Sequence, residues 1–335
     1  MMLWLFLFAF TALLGRAPEA LAQKNPTIRL GVAGISGTNA HPYVSKQLGL
    51  FQKYNVDMEL IAFQGGSQMV QAMLAGDVPI TFSEGFTALA TDIKNPQLYF
   101  IGGVVNIFPF TILAKPEIQR PADLRGKKIA ISRFGSSSDV AVRTAVERYD
   151  MKADKDVVIL QVGGQSERFA ALRSGVVDAA IVSPPFNLVG RKLGFKEVID
   201  VSETGVAYAH QQIVARKDFI DSQPDLVLRC MRAVVEGLGY WKDPSKRDLV
   251  TLNVAKFLKL DPQKEKDQLD ETFRYYGKIF PSKPYATLEG LELSASILKK
   301  ARPDAKDLNP KDLVVNRFMA ELEKEGFLAK VMGGK

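Results

Sequence analysis

One pattern of strands and helices occurs twice in this sequence, with the two copies about 100 residues apart. The first copy begins at residues 28–36 and the second at residues 129–137, and each start is a β-like apolar run that ends in a glycine and a small polar loop. A predicted helix follows each run, at residues 42–53 and 138–149. Because apolar strands that alternate with helices form parallel sheets covered on both faces, the repeat predicts two β-α-β-α-β units. A chain of 335 residues is long enough for two such domains.

The second helix of each copy is bounded by small residues. It begins near Gly65-Gly66-Ser67 in the first copy and near Gly164-Gln165-Ser166 in the second. We expect Ser67 and Ser166 to be the N-caps. We expect Gly76 and Gly175 to follow the last turns in a left-handed conformation. Each helix is followed by a strand that runs into a loop.

A third pair of segments completes the layout. The strand-like segments 110–115 and 211–216 resemble each other, and each follows one copy of the repeat. We expect them to be two connecting strands that cross between the domains. After about residue 220 the chain is predicted to be mainly helical, with breaks near its prolines.

The first 22 residues are predicted to be a signal peptide. The apolar run 3–14 is shorter than the roughly 20 residues that a membrane-spanning helix needs. Small residues at Ala20 and Ala22 then predict cleavage before Gln23. The sequence therefore favours an exported, periplasmic protein, and an uncleaved membrane anchor is the alternative.

Charge, cysteine and histidine content argue against several functions. The net charge of +7 is not concentrated in a basic run, so no nucleic-acid partner is expected. Cys230 is the only cysteine and lies at apolar helical spacing, which predicts a buried thiol. The two histidines, His41 and His210, have no metal-binding spacing, so we expect neither a metal nor another cofactor. No nucleophile-elbow, phosphate-loop or dinucleotide motif is present, and no catalytic residue is predicted.

Three segments are similar to one family. The segment 41–59 resembles the opening of the solute-binding proteins for nitrate, sulfonates, taurine and thiamine-pyrimidine precursors, whose pattern is P-x-x-x-A-x-x-x-G-[LFY]-F. The segments 72–80 and 122–130 resemble two further stretches of that family, A-L-x-x-G-x-[VI]-D-x and D-L-[KR]-G-K-[KR]-[IV]. Ser45 and Pro79 replace the family's usual Ala and Asp. The resemblance covers residues 27–220 well and the helical tail loosely.

The resemblance implies an α/β fold of the type II, two-lobed periplasmic binding protein, with two crossover segments and a helical C-terminal tail. We expect residues 27–112 and 206–335 to form the first lobe and residues 113–205 to form the second. The family's members bind a small solute and hand it to an ABC permease with its ATPase subunit, and we expect a monomer. Two alternatives stay open. One is a periplasmic sensor that docks on a receptor. The other is an enzyme on the same fold, such as a thiamine-pyrimidine-type synthase, although the cysteine-rich segment of those synthases has no counterpart here.

Ligands of open parallel sheets bind beyond the carboxyl ends of the strands. Four loops meet this rule, at residues 34–41, 83–87, 133–139 and 183–187. The third loop precedes a helix and contains three serines and an arginine, a combination that predicts an anion site. The candidate ligand-binding residues are Ser36, Thr38, Asn39, His41, Ser83, Glu84, Phe86, Asn106, Phe108, Arg133, Ser136, Ser137, Ser138, Ser183, Phe186, Tyr208 and His210.

Several of these candidates have a second interpretation. The serines of the third loop are also typical of a helix cap, and Phe86 and Phe186 are equally compatible with core packing. Glu84 argues against a purely anionic ligand, because its carboxylate would bind a ligand amine or pair with Arg133. The predicted mechanism is a hinged clamp, in which ligand contacts from both lobes favour the closed state.

Overall fold

The computed structural model describes residues 25–63 and 65–333. The predicted signal peptide, residues 1–22, lies outside the described residues. The strands are β1 (Thr27–Ala33), β2 (Asp57–Phe63), β3 (Ile80–Ser83), β4 (Leu98–Ile107), β5 (Thr111–Ala114), β6 (Lys128–Ile131), β7 (Val158–Gln161), β8 (Ala179–Val182), β9 (Lys196–Asp200) and β10 (Ala207–Arg216).

The helices interleave with these strands and then dominate the C-terminal part of the chain. They are α1 (Ala40–Gln47), α2 (Leu50–Lys53), α3 (Gly66–Ala75), α4 (Gly85–Thr91), α5 (Ser137–Glu147), α6 (Gln165–Arg173), α7 (Phe186–Lys192), α8 (Lys217–Ser222), α9 (Pro224–Lys242), α10 (Arg247–Leu258), α11 (Lys266–Ile279), α12 (Leu288–Ala301), α13 (Arg317–Lys324) and α14 (Phe327–Met332). Among the residues described, no helix is both long enough and apolar enough to cross a membrane.

Two sheets of five strands have the same architecture. The first has the order β2-β1-β3-β10-β4 and the second has the order β7-β6-β8-β5-β9. In each sheet the first three strands are parallel, and the fourth is antiparallel to both of its neighbours. The predicted tandem repeat is therefore confirmed as two equivalent mixed sheets. We call the part built on the first sheet the first lobe and the part built on the second sheet the second lobe.

The chain crosses between the sheets just before the strands that were predicted to cross. It leaves the first sheet after Ile107 and enters the second at Thr111, and it returns between Asp200 and Ala207. The segments 111–114 and 207–216 themselves lie inside the sheets, because two neighbouring strands supply backbone hydrogen bonds to each of them. Residues 111 and 112, assigned to the first lobe by the sequence, thus lie on the second sheet.

The helices of the repeat differ from the prediction at their ends. The helix predicted at 42–53 is divided into α1 and α2 by Gly49, whose φ of 71° no longer fits a right-handed helix. Helices α3 and α6 are capped by Gly65 and Gly164 instead of Ser67 and Ser166, and neither cap has a side-chain hydrogen bond. The free N–H groups at the starts of α3 and α6 are therefore available to another acceptor.

Two large apolar clusters form the core. In the first cluster, the first sheet is packed against α1 of the N-terminal unit and against α9, α10 and α11 of the C-terminal tail. Its fully buried residues include Phe51 and Trp241. Cys230 belongs to this cluster and is 0% exposed, as predicted, and burial raises the pKa of its thiol to about 12. The second cluster continues from Phe100 on the first sheet to Ile129 on the second.

The crossover segments carry this second cluster between the lobes. Phe108 lies in the first crossing, Tyr208 is the second residue of β10 just after the return crossing, and their rings stack with centroids 4.0 Å apart. Both side chains are fully buried. The lobes are therefore joined by packed aromatic surface as well as by two backbone segments.

Candidate functional site

A cavity of about 160 Å³ lies between the two lobes. The loops that follow β1, β2 and β3 line it from the first lobe, and the loops that follow β6 and β7 line it from the second. All five are carboxyl ends of parallel strands, where open α/β sheets bind ligands. The structure thus places one candidate site at the position that the strand order favours.

The cavity brings together part of the predicted set. The predicted residues on its wall are Ser36, Thr38, Asn39, Glu84, Arg133, Ser136, Ser137, Ser138 and His210. The predicted residues that lie away from its wall are His41, Ser83, Phe86, Asn106, Phe108, Ser183, Phe186 and Tyr208. Ligand contact by the first group remains a proposal.

The second group is held by packing and internal hydrogen bonds. His41 is 0% exposed on α1, where its ring meets Phe82 edge-on at 4.4 Å and its Nε2 lies 3.1 Å from Oε1 of Gln211. Ser83 and Ser183 are buried at strand ends, and the Ser183 backbone N–H and hydroxyl both donate to Oε1 of Gln165. These side chains build the walls behind the cavity surface.

The aromatic and amide candidates of this group also have structural partners. Phe86 lies in the apolar cluster shared by the two lobes, and Phe186 packs on Phe169 in a small cluster of the second lobe. The Asn106 amide oxygen accepts a hydrogen bond of 2.9 Å from Gln212. For Phe86 and Phe186 core packing, the second interpretation, agrees with the structure.

The serine hydroxyls of the third loop fall into two groups, one bonded within the loop and one bonded to the other lobe. The hydroxyls of Ser132, Ser136 and Ser138 form a triangle with sides of 2.7 to 2.8 Å, and Ser136 also caps α5 by accepting from the Asp139 N–H. Ser137 instead reaches the first lobe, and its hydroxyl donates to Oε1 of Glu84 at 2.7 Å. Ser137 is therefore the serine that connects the lobes.

Helix N-termini surround the cavity. The residues at the starts of α3 and α6, Gly65-Gly66-Ser67 and Gly163-Gly164-Gln165, are on its wall, and the same is true of Asn39 before α1. None of these three helices has a side-chain hydrogen bond at its cap. Since the N-terminus of a helix carries a partial positive charge and free N–H groups, this arrangement favours an anion.

Arg168 is the important cavity residue that the sequence analysis missed. It is only 3% exposed on α6, its Nε donates to the Ile181 carbonyl at 2.8 Å and its Nη1 donates to the Gly163 carbonyl at 2.9 Å. In the described part of the chain, its Nη2 has no hydrogen-bond partner and no carboxylate lies within 4 Å of it. Desolvation lowers the pKa of this guanidinium to about 10, so the group is still charged at neutral pH.

The cavity carries two positive charges and one negative charge. Arg133 is exposed at the edge, where its Nε would lie 3.8 Å from a Cβ atom at Gly65 of the other lobe. The predicted alternative in which Glu84 pairs with Arg133 is not seen, and Glu84 instead accepts hydrogen bonds from Ser137. Ile35 and Phe134, 43% and 57% exposed, add apolar surface from the two lobes. A ligand in this cavity would contact the buried guanidinium of Arg168 at its inner end and the apolar side chains of Ile35 and Phe134 at its opening.

The sequence did contain a signal for the missed residues. The rule on carboxyl ends of strands was applied to four loops, but the loops after β2 and β7 satisfy it as well. These two loops start α3 and α6, and Gln165 is the first residue of α6. Arg168 lies one turn further along the same helix, so the position of the loop after β7 is the sequence signal for it.

The lobes touch each other beside the cavity. The Tyr276 hydroxyl of the first lobe donates to the Pro184 carbonyl of the second at 3.2 Å, and Arg191 on α7 forms two hydrogen bonds of 2.8 Å with Glu271 on α11. The approach is closest at Gly37, where a Cβ atom would lie 2.2 Å from the Pro184 carbonyl oxygen. A side chain at position 37 is therefore incompatible with this arrangement of the lobes.

We expect the substitution Gly37→Ala to weaken ligand binding at least about tenfold, because the added methyl group holds the lobes apart and so penalises the closed state. Gly65→Ala is the matched control, since its Cβ would meet nothing closer than Arg133 at 3.8 Å. Calorimetric titration of both variants with a solute that binds the wild type makes the comparison. Equal affinities for the two variants would contradict the role assigned to the Gly37–Pro184 approach.

Within residues 25–63 and 65–333, no group of three or more His, Cys, Asp or Glu side chains is placed to hold a metal ion.

The chain is similar to a protein-family model, to individual protein sequences and to solved structures. A family model described as NMT1/THI5 like matches residues 38–246, more than half of the chain. A provisionally named binding protein of Brucella abortus is 28% identical over 250 residues, which are 73% of this chain and 75% of the relative.

Solved structures share the fold at low sequence identity. The periplasmic aliphatic sulphonate binding protein of Escherichia coli has a TM-score of 0.68 and 17% identity, covering 88% of this chain and 99% of its own. A mutant of the desulfurization enzyme DszB in complex with biphenyl-2-sulfinic acid has a TM-score of 0.68 and 15% identity, covering 90% of this chain and 99% of its own. The predicted α/β fold of two-lobed binding proteins is confirmed, and the fold is shared by binding proteins and by an enzyme.

Proposed function

The chain belongs to the NMT1/THI5-like family, and on this premise we propose that it binds a small, anionic organic solute between its lobes and delivers it to an ABC-type membrane importer. The observation that carries the proposal is Arg168, a buried guanidinium on the cavity wall that no carboxylate of the described residues approaches within 4 Å, although Glu84 and Glu167 act on it electrostatically from further away. A buried charge is costly unless it is paired, so a bound anion would supply the missing partner.

The surroundings of Arg168 support an anionic group more than a neutral one. The uncapped starts of α3 and α6 add N–H donors and partial positive charge to the same wall. The charged side chains on the wall, Glu84, Arg133 and Arg168, sum to +1. A ligand with one net negative charge would therefore balance the cavity.

The apolar rim supports an organic solute. Ile35 and Phe134 face the same opening from the two lobes, and Phe82 and Phe110 lie on the wall behind them. The sulphonate receptor with this fold is named for an aliphatic organic anion. By analogy, the anionic end of the solute would lie at Arg168 and its apolar part under Ile35 and Phe134.

We infer that the protein is a receptor and not an enzyme, although a serine, a histidine and a glutamate meet at the cavity. Ser137 Oγ lies 3.1 Å from His210 Nδ1, but the single proton of the serine is donated to Glu84. In a serine nucleophile, the carboxylate orients the histidine and the histidine takes the serine proton. Burial also lowers the pKa of His210 to about 3, which makes it a poor base at neutral pH.

Delivery to an importer and periplasmic location rest on the resemblance of segments 41–59, 72–80 and 122–130 to solute-binding proteins. In this proposal the receptor acts as a monomer, closes on its solute and presents the closed surface to the permease. Hydrolysis of ATP takes place in the importer's ATPase subunit.

A thermal-shift screen of the chain from Gln23 tests solute binding. The compounds are sulfonates, nitrate, phosphonates, aromatic and aliphatic carboxylates, amino acids and pyrimidines. A ligand at 100 times its dissociation constant adds about 2.7 kcal/mol to the free energy of unfolding, which is a shift of several degrees. We expect an anionic compound to raise the melting temperature and its neutral amide analogue to have no effect. A response limited to neutral or cationic compounds would contradict the anion proposal.

A further inference from the structure

The N-terminus of α5, where the sequence predicts a ligand anion, already holds a carboxylate of the protein itself. The Ser137 N–H donates to Oε2 of Glu84 at 3.1 Å, and the Ser137 hydroxyl donates to Oε1 at 2.7 Å. The Thr87 hydroxyl adds a third hydrogen bond, of 3.2 Å, to Oε2. Anions at helix N-termini are bound by this combination of N–H, hydroxyl and helix dipole.

This contact joins the two lobes. Glu84 lies between β3 and α4 in the first lobe, whereas Ser137 begins α5 in the second. The carboxylate does not cap its own helix, since no side-chain hydrogen bond is made at the cap of α4. Glu84 thus accepts no backbone N–H of its own helix: its carboxylate takes one local hydrogen bond, from the Thr87 hydroxyl, and reaches across to the N-terminus of α5 in the opposite lobe.

The two sides of the second lobe's wall are therefore different. The α5 side is neutralised by Glu84, while the α6 side has the unpaired nitrogen of Arg168 and a cap without a side-chain hydrogen bond. A carboxylate offers about four acceptor positions. Three are used by Ser137 and Thr87, which leaves one for a donor in the cavity.

We propose that Glu84 is a specificity-determining residue: its carboxylate occupies the anion position at the N-terminus of α5, so that a ligand must place its anionic group at Arg168 and present a hydrogen-bond donor to Glu84. The inference rests on the proposed function, because it divides the same cavity into an anion end and a donor end. Solutes with a second anionic group directed at α5 are excluded by repulsion from Glu84. The cavity thereby selects monoanions that carry a hydroxyl or N–H group at the far end.

Sulfate titration of Glu84→Ala tests the inference with a probe that needs no knowledge of the solute. Removal of the carboxylate vacates the N–H and hydroxyl of Ser137, so we expect the variant to bind sulfate at least about tenfold more tightly than the wild type does. Binding is measured by calorimetry and by the melting temperature in sodium sulfate against sodium chloride at equal ionic strength.

Glu167→Ala is the matched control. This substitution removes a carboxylate of the second lobe that lies near Arg168. The Glu84 carboxylate stays bound at the N-terminus of α5. We expect its sulfate affinity to match the wild type within about threefold. If Glu84→Ala binds sulfate no more tightly than the wild type, the inference is overturned. An equal gain in sulfate affinity in both variants would overturn it as well, because the gain would then come from the loss of any nearby negative charge. If Glu84→Ala does not fold, Glu84→Gln keeps the volume and removes the charge. A sulfate affinity of Glu84→Gln equal to that of the wild type would overturn the inference as well.

The double variant Glu84→Ala with Ser137→Ala locates the gained site. Loss of the Ser137 hydroxyl should reverse most of the gain if sulfate binds at α5, whereas an unchanged gain would place the ion elsewhere and overturn the inference. Failure here is distinct from failure of the proposed function. The part of the sulfate gain that the Ser137 substitution reverses belongs to α5, while solute binding by the wild type depends on Arg168.

Discussion

Replacing Arg168 with leucine is expected to reduce solute affinity about 100-fold or more. Charge-assisted hydrogen bonds to a desolvated guanidinium are the strongest polar contacts that this cavity can offer, and loss of one partner of such a pair costs about 2–5 kcal/mol. Arg168→Lys keeps the charge but loses the planar fork, so its affinity should fall between those of the wild type and the leucine variant. Calorimetric titration with the solute found in the thermal-shift screen measures the effect.

The matched control for Arg168 lies on the same helix. Arg173 is exposed near the end of α6 and is not part of the cavity wall, so Arg173→Leu makes the same change of charge at a distance from the ligand. Its solute affinity should be unchanged. An Arg168→Leu variant that binds as tightly as the wild type would remove the basis of the proposed function.

Arg168→Leu should also lower the free energy of unfolding. The substitution removes the side-chain donor of the buried Ile181 carbonyl, at about 1–3 kcal/mol for a buried group, and that of the part-buried Gly163 carbonyl, which water can partly replace. Removal of an unpaired buried charge offsets part of this cost. Binding is therefore measured well below the melting temperature of the variant.

The second large expected effect is a loss of folded-state stability at acidic pH, and the two buried histidines cause it. His41 and His210 are 0% and 8% exposed, and burial lowers the pKa of each to about 3. Because an unfolded histidine titrates near 6.5, the unfolded chain binds more protons than the folded chain between these values. The stabilisation is present above pH 6.5 and is lost as the pH falls toward 3. At pH 4.5 each histidine costs about 2–3 kcal/mol relative to pH 7.

A single substitution separates this effect from the carboxylates. His210→Asn removes one of the two titrations, while the acidic groups titrate almost alike in both proteins and cancel in the difference. We expect the difference in unfolding free energy between wild type and variant to shift by about 2–3 kcal/mol in favour of the variant from pH 7 to pH 4.5. Urea unfolding at both pH values measures it. A difference that is independent of pH would show that His210 is not held neutral by burial.

Much of the fold is predictable because its signals are local. The two apolar runs at residues 28–36 and 129–137 and the glycines after α3 and α6 define the repeat without any tertiary information. Gly76 and Gly175 have φ values of 93° and 77°, as the left-handed position after a helix requires. The crossing strands were misplaced because pairing with both neighbours is a tertiary property that a segment such as 111–114 does not show.

The site was less predictable, because direction and partner depend on the other lobe. The sequence identified Glu84 and Ser137 separately, but only the positions of the two lobes in the structure show that they bind each other. His41 looked like a loop residue because it follows a Gly- and Asn-rich stretch, whereas the structure includes it in the first turn of α1 and buries it. Arg168 is in the middle of a helix, where an arginine normally indicates a solvent-exposed face.

The stacked pair at the crossings has a mechanical consequence. Phe108 and Tyr208 are fully buried and are part of one apolar cluster that includes residues of both sheets. Separating the lobes along a straight line would expose to solvent two aromatic side chains that each bury about 150–250 Å² of surface. Rotation about the axis of the stack would leave both rings buried. The junction should therefore oppose separation of the lobes more strongly than rotation of one lobe against the other. Because the buried ring stack holds the lobes together, longer backbone segments between them should do little to make the lobes separate.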